Sequence, residues 1–439
     1  MAGGVLWWVH MGTAKAAFVS KPTAECIRCH TEKNIHRVQI AEWQGSAHAR
    51  KGVGCYECHR AAAGDRDGWE HEGYRIATIV SPFDCAACHR REFEEFDRSH
   101  HAKAGEILGS LDNFLGEAVE GPGASVQGCQ YCHGSLVKVD KQGKLDPMTW
   151  PNLGIGRLNP DGSKGSCSAC HAKHAFSLAV ARSPEVCGRC HMGPDHPQKE
   201  VYEESKHGVI FAAHRQTMNL TASSWILGDD YTQAPNCVTC HMGSSLYTRS
   251  THDLGERISW ELRAPVSKPM ENAAERRQAM QNVCRNCHGP EWYTNFYAQF
   301  DATVTLYNER FGEPAAAIMK HLKEAGRLTP EPFDEEIEWV YFELWHHEGR
   351  RLRHGAAMMG PDYVQWHGFY EVARHFYFKF LPLARERGGE AEVEALLARP
   401  EHQWIKGVEP SGLRMQEAAF KAWSTVRKEA LDARASESH

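Results

Sequence analysis

Beyond residue 290 the chain repeats large apolar side chains at helical intervals. Trp292, Phe296, Phe300, Val304, Tyr307 and Phe311 follow at steps of four, four, four, three and four, which keeps them on one helix face. The spacing predicts a helix ending near Gly312, Glu313 and Pro314, and a second from about Ala315 to Ala325 ahead of Gly326. A third begins near Asp334, a suitable cap, and carries Ile337, Tyr341 and Leu344; Pro382 is expected to kink or end a fourth. Residues 26–290 show little such periodicity, so short helices and loops are expected there, with a Gly-, Asp- and Lys-rich stretch at 140–165 as a long surface loop. The fold class is mainly α: a region of short helices and loops at 26–290, then a long-helix C-terminal module at 291–439.

Residues 1–25 read as an export signal, possessing no basic start, and an N-terminal arm. Gly3 to Val9 is an apolar run, and Ala14-Lys15-Ala16 has the small-residue pattern of a processing site. No other stretch approaches the roughly 18–20 apolar residues that span a bilayer, so no membrane span is expected. With 42% hydrophobic and 24% charged residues the composition is globular, and 50 basic against 56 acidic residues give a net charge of -6. That balance excludes a nucleic-acid partner and leaves small molecules or other proteins.

The chemistry lies in the cysteines. All 16 fall in eight copies of Cys-x-x-Cys-His. The thiol pairs are Cys26 and Cys29, Cys55 and Cys58, Cys85 and Cys88, Cys129 and Cys132, Cys167 and Cys170, Cys187 and Cys190, Cys237 and Cys240, and Cys284 and Cys287. The histidines that follow are His30, His59, His89, His133, His171, His191, His241 and His288. No thiol remains for a disulfide framework, a nucleophile or a redox pair. Two thiols at this spacing take the two vinyl groups of a haem as thioethers while the adjacent imidazole ligates its iron. Zinc ribbons are the rival reading, but zinc has no need of a His directly after the second Cys. The chain therefore reads as a multihaem cytochrome c with eight c-type haems, and since such haems are attached outside the cytoplasm, a periplasmic or other extracytoplasmic location is expected.

An electron-transfer haem takes a second axial ligand, and a haem that does chemistry keeps that position open. Of 27 histidines, 19 lie outside the motifs. Seven stand as candidate distal ligands: His48, His71, His101, His174, His207, His252 and His354, the first six in short polar contexts expected to be helical. His100 rivals His101, and spacing does not separate them. His174, three residues past His171, is too close to cap the same haem and is expected to cap a neighbour. Seven caps for eight irons leave one open.

From Cys26 to about Tyr377 the chain resembles the octahaem hydroxylamine oxidoreductase family. The resemblance rests on the order of the eight motifs, the close fifth and sixth pair, Ser205-Lys206-His207-Gly208 and Thr251-His252-Asp253. Each motif ends in His, whereas pentahaem nitrite reductases use Lys at their catalytic haem. The resemblance implies a catalytic haem on Cys129, Cys132 and His133, with Asp195 and His196 over its open face as proton acceptors. It further implies that Tyr363, within Gly360 to Gly368, bonds covalently to the catalytic haem of a neighbouring subunit in a homotrimer; Tyr370 is the second choice. Where some members carry a further Tyr after the seventh motif, Trp260 is followed here by Glu261, Leu262 and Arg263, so that element is not carried over. The implied function is oxidation of hydroxylamine to nitric oxide or nitrite, with seven bis-His haems passing electrons to a soluble cytochrome c-type acceptor. Hydrazine dehydrogenation, a reductive nitrite or hydroxylamine reductase, and a non-catalytic electron conduit are the alternatives. The C-terminal module reads either as a plain packing domain or as the trimer interface.

Overall fold

The computed structural model describes residues 19–109, 111–410 and 415–437; the expected export signal lies outside them. No helix among the described residues is long and apolar enough to cross a membrane. The chain is mainly α, with three two-stranded sheets among the described residues. It divides into two compact units: one runs to Glu261 and adds Pro269–Tyr297 and Met358–Gly360, and the other comprises Leu262–Lys268, Ala298–Ala357 and the chain from Pro361 onward.

In the first unit polar devices hold short elements in place. Ser20 caps the helix Lys21–Glu32, accepting the Thr23 N–H, and Asn236 caps Cys237–His241 through the Thr239 N–H. The strands Gly68–His71 and Tyr74–Ala77 pair antiparallel around Glu72 and Gly73, both at positive φ, as a two-residue hairpin turn demands. A small apolar cluster gathers Tyr202, Phe211, Met218, Trp225, Leu227 and Tyr231.

The stretch expected to be a long surface loop is one only in its first half. From Asn152 onward it turns inward around Arg157, which is 2% exposed. The Arg157 guanidinium donates to Asn159 Oδ1 at 2.6 Å, Asn152 O at 3.1 Å and Val80 O at 3.4 Å. A buried guanidinium needs such acceptors, and irregular backbone supplies carbonyls that no ladder has claimed. Arg257 repeats the device, donating to the carbonyls of Thr239, Cys240, Gly243 and Arg249.

The second unit has a conventional core. Tyr307, Phe311, Ile318, Leu322, Ile337, Leu344, Leu352, Val372, Phe376 and Phe380 pack together from several helices. The predicted stripe lies on Pro290–Tyr307 and the π-helical turn Asn308–Gly312. Three expected boundaries are corrected. The helix does not stop at Gly312 to Pro314 but continues directly into Glu313–Glu324. Nor does Pro382 break its helix, because Phe376–Phe380 is again a π turn leading straight into Leu381–Glu386. Proline collides with the carbonyl four residues back in an α-helix, and a π turn just ahead of each proline moves that carbonyl away. The third helix is Glu336–Phe342, with Glu335 rather than Asp334 at its N-cap, and runs on through the π segment Glu343–Gly349 into Arg350–Met358.

The segment Leu262–Lys268 is tied to these helices by polar bonds. Asn308 Nδ2 donates to Ser267 O at 2.7 Å and Asn308 Oδ1 accepts from Ser267 N at 2.9 Å. Arg353, fully buried, donates to Ala264 O at 2.8 Å, Ser267 Oγ at 2.6 Å and Gly349 O at 2.7 Å, and its guanidinium lies 4.3 Å from the Tyr307 ring centre. Replacing Arg353 with Met keeps bulk but strands these acceptors, so the variant is predicted to be about 2–3 kcal/mol less stable. Denaturant titration followed by far-ultraviolet circular dichroism measures this; an unchanged midpoint contradicts it.

Candidate functional site

Each Cys-x-x-Cys-His motif folds as one helical turn. Motifs two, four and seven are the five-residue helices Cys55–His59, Cys129–His133 and Cys237–His241, and the first lies inside Lys21–Glu32. In the others the His N–H returns to the carbonyl of the first Cys: His89 to Cys85 at 2.8 Å, His171 to Cys167 and His191 to Cys187 at 3.0 Å, His288 to Cys284 at 2.9 Å. A turn of this pitch sets both thiols on one side with the imidazole next to the first.

The histidines outside the motifs come to these turns in pairs. Ring centres lie 6.0 Å apart for His30 and His71, 6.5 Å for His59 and His174, and 6.1 Å for His89 and His48. They lie 6.5 Å apart for His171 and His252, 5.9 Å for His191 and His101, and 6.2 Å for His288 and His207. Two imidazoles on opposite faces of one iron need about 6 Å, from metal–nitrogen bonds of about 2 Å and ring radii of about 1 Å. The residues therefore fit haem: thiols on one face of each turn, and an imidazole pair at the separation that one iron requires.

Protonation and orientation agree with ligation. Burial pushes His171, His191 and His241 down to about 4, and His101 to about 3, so all four are neutral. His59 Nδ1 meets Ala77 O at 3.0 Å and His191 Nδ1 meets Gln198 Oε1 at 3.3 Å, which leaves Nε2 of each ring for metal. The partner of His171 is steadied by Glu95, whose carboxylate accepts the His252 N–H at 2.9 Å and pairs with Arg91 at 3.0 Å; burial opposes its charge, yet these bonds keep it below the usual carboxylate range.

The local contexts differ from those expected. His48 and His207 sit on the helices Ala47–Arg50 and Lys206–His214, but His71 ends a strand, and His101, His174 and His252 stand in turns. Four of the six share a signal that spacing alone does not reveal, a serine two residues ahead of the ring: Ser46, Ser99 and Ser205, which are buried, and Ser250 ahead of His252, which is exposed. Ser46 and Ser205 are helix caps, bonded to Ala49 N and Gly208 N at 3.1 Å. The same pattern distinguishes His101 from His100, which is exposed and lies against Gly255.

Thiols of different motifs also meet: Cys85 with Cys167, Cys132 with Cys190, and Cys187 with Cys237. Looser neighbours are Cys26 and Cys55, Cys58 and Cys85, Cys170 and Cys187, and Cys240 and Cys284. These contacts order the turns as a line of motifs one, two, three, five, six, seven and eight, with motif four branching from six.

Motif four has its own clasp, which sequence reasoning missed. Ile155 N donates to Cys132 O and Gly156 N to His133 O, both at 3.0 Å. A Cβ on Gly154 would strike the backbone of Gly134, and one on Gly156 that of Gly105; only glycine permits this approach. Around the junction with motif six, Cys132 Sγ lies 3.8 Å from Arg189 O. Five residues past His191, His196 points Nδ1 at Met192 O, 2.9 Å away, and lies 3.4 Å from Asp195 Oδ1. The His196 and His191 ring centres are 5.9 Å apart. In the second unit, Tyr363 lies on the short helix Pro361–Val364 with its ring 5.6 Å from His367, and His354 is half-buried on Arg350–Met358.

Changing His174 to Ala should leave the iron held by His59 with one protein ligand. Electron paramagnetic resonance is expected to gain one high-spin ferric centre per chain while the other low-spin signals persist; an unaltered spectrum rules out the pairing.

Comparison with known proteins agrees with these turns. Residues 160–333 match the family described as "Seven times multi-haem cytochrome CxxCH", and residues 79–192 match "Cytochrome c3". The chain is 30% identical over 374 residues to a "Probable nitrite reductase-hydroxylamine oxidoreductase fusion protein" of Kuenenia stuttgartiensis, covering 70% of this chain but only 39% of that relative. Among solved structures it is similar to a "Hypothetical multiheme protein" at 26% identity and a TM-score of 0.76, over 86% of this chain and 98% of the other. It also shares its fold with a reducing HAO-like protein complex of K. stuttgartiensis, with 20% identity, a TM-score of 0.61 and coverage of 86% and 87%. The chain thus carries the attachment motifs of multihaem c-type cytochromes, and is similar in sequence to part of a nitrite reductase–hydroxylamine oxidoreductase fusion protein.

Proposed function

We propose that the chain oxidises hydroxylamine, to nitric oxide or nitrite, at a haem held by Cys129, Cys132 and His133, within a set of eight. What supports this reading is the junction of motifs four and six, where Cys132 meets Cys190 and Arg189 O, together with the Asp195–His196 pair that follows motif six and whose imidazole lies 5.9 Å from His191. The haem, when bound, supplies the redox-active iron. The chain supplies the acid–base chemistry. Oxidising a hydroxylamine nitrogen removes protons together with electrons, and a positioned imidazole is a suitable acceptor at neutral pH. Met192 O and Asp195 both lie on the Nδ1 side of His196. With the ring proton held there, Nε2 carries the lone pair that takes the substrate proton, and the Asp195 carboxylate stabilises the imidazolium that results.

The remaining roles follow the same reading. His354 would serve as the seventh distal ligand, and the line of motifs would lead electrons to an external cytochrome c in an extracytoplasmic compartment. Tyr363 reaches the motif-four haem of another copy in a homotrimer. Exposed aromatics of the second unit support an interface: Trp366 and Phe378 are 60% and 66% exposed on the helical run after Pro361, an arrangement that marks association surfaces. The nitrite reductase named in the Kuenenia relative favours, as a second reading, the same site run reductively.

Steady-state assays with hydroxylamine, hydrazine and nitrite, using a cytochrome c partner, separate these readings. Asp195→Asn is expected to lower hydroxylamine turnover by about 10²-fold or more with the haem spectrum intact; unchanged kinetics removes Asp195 from the mechanism. Tyr363→Phe is expected to abolish a subunit-linked haem on denaturing gels and the oxidative turnover with it. A wild-type protein lacking that linkage and reducing nitrite instead establishes the reductive direction.

A further inference from the structure

Far along the chain from the motifs, the loop between Thr329 and Glu335 gathers carboxylates at the start of the helix Glu336–Phe342. One oxygen from each of Asp334, Glu335 and Glu338 lies within 4.8 Å of the other two. Two oxygens bound to a common calcium ion at about 2.4 Å can be no farther apart than about twice that length, so the three satisfy the distance condition for one shared ion.

Glu335 is an independent pointer to such a ligand. It is only 6% exposed. Its Oε1 accepts the Thr329 N–H at 2.9 Å and meets Arg387 Nη1 at 3.4 Å, whereas its Oε2 is buried with no hydrogen-bond partner. A buried carboxylate oxygen that no donor reaches is costly unless something else binds it. Among the described residues Arg387 is the one cation that pairs with the cluster, and it reaches Glu335 alone. Burial, together with the charges of Glu335 and Asp334, raises the Glu338 carboxyl above its ordinary range. Glu338 Oε2 lies 3.4 Å from Glu335 N, and both Asp334 oxygens lie 2.9 Å from Thr329 Oγ1. Asp334 is exposed, so an ion can enter and keep water ligands on that side.

We propose that Asp334, Glu335 and Glu338 form a calcium site that pins the Thr329–Glu335 loop to the helix it precedes. All-carboxylate donors select a hard cation over zinc, and a partly open site completed by water suits the flexible shell of calcium better than the strict octahedron of magnesium. The site lies in the unit without Cys-x-x-Cys-His motifs and is independent of the redox reading.

The test uses the haem-loaded protein, stripped with chelator, dialysed and titrated with calcium chloride by calorimetry, with calcium and iron counted by mass spectrometry. Wild type is expected to take up one more calcium per chain than Glu335→Gln, and to unfold at a temperature several degrees higher with calcium than without; Glu335→Gln should lose that shift. Glu338→Gln, at a more exposed position, serves if the first variant does not fold, and is expected to bind at least tenfold more weakly. Failure of wild type to bind, equal calcium in wild type and a folded variant, or a response to magnesium alone each overturns the proposal.

Discussion

The first unit is organised by a single geometric demand: two imidazoles must face each other about 6 Å apart with an iron's width between them. Six pairs meet it. An ordinary hydrophobic core is forgiving, since apolar contact has no direction. An imidazole pair has both direction and distance, so each ring must be fixed by something that also has direction. That accounts for the recurrent hydrogen-bonded devices here: serine caps ahead of His48 and His207, Ala77 O behind His59, and Glu95 behind His252. Arg157 and Arg257 act one layer further out, gathering loop carbonyls that would otherwise be buried unpaired.

The second unit meets a different demand with different means. Its helices bury Tyr307, Phe376, Phe380 and Leu352 completely, and Arg353 and Asn308 secure Leu262–Lys268 to them by hydrogen bonds. Four π segments interrupt its α-helices at 308–312, 343–349, 365–370 and 376–380. Each lets the helical run change its phase without stopping, so that aromatic positions which drift off one face are returned to the core.

What could be read in advance divides along the same line. The attachment turns were legible because both thiols and the imidazole lie within five consecutive residues, and the stripe from Phe300 to Phe311 was legible because helix periodicity is local. Helix ends at Pro314 and Pro382 were misjudged because proline's clash depends on the turn before it, which propensity does not report. The clasp on motif four was missed because Gly154 and Gly156 look like loop glycines until Gly134 and Gly105 are placed against them. Among the imidazole pairs, the Ser-x-His pattern was present to be found, but the pairing itself joins residues as far apart as His59 and His174.

These pairings interlock. His30–His71 overlaps His48–His89 along the chain, which overlaps His59–His174, and the succession continues through His101–His191 and His171–His252 to His207–His288. Wherever the polypeptide is severed between residues 30 and 288, at least one ring is parted from its mate. Trimming from either end within that region therefore removes the facing imidazole of a ring that stays behind. The chain behaves as a woven band rather than a string of beads.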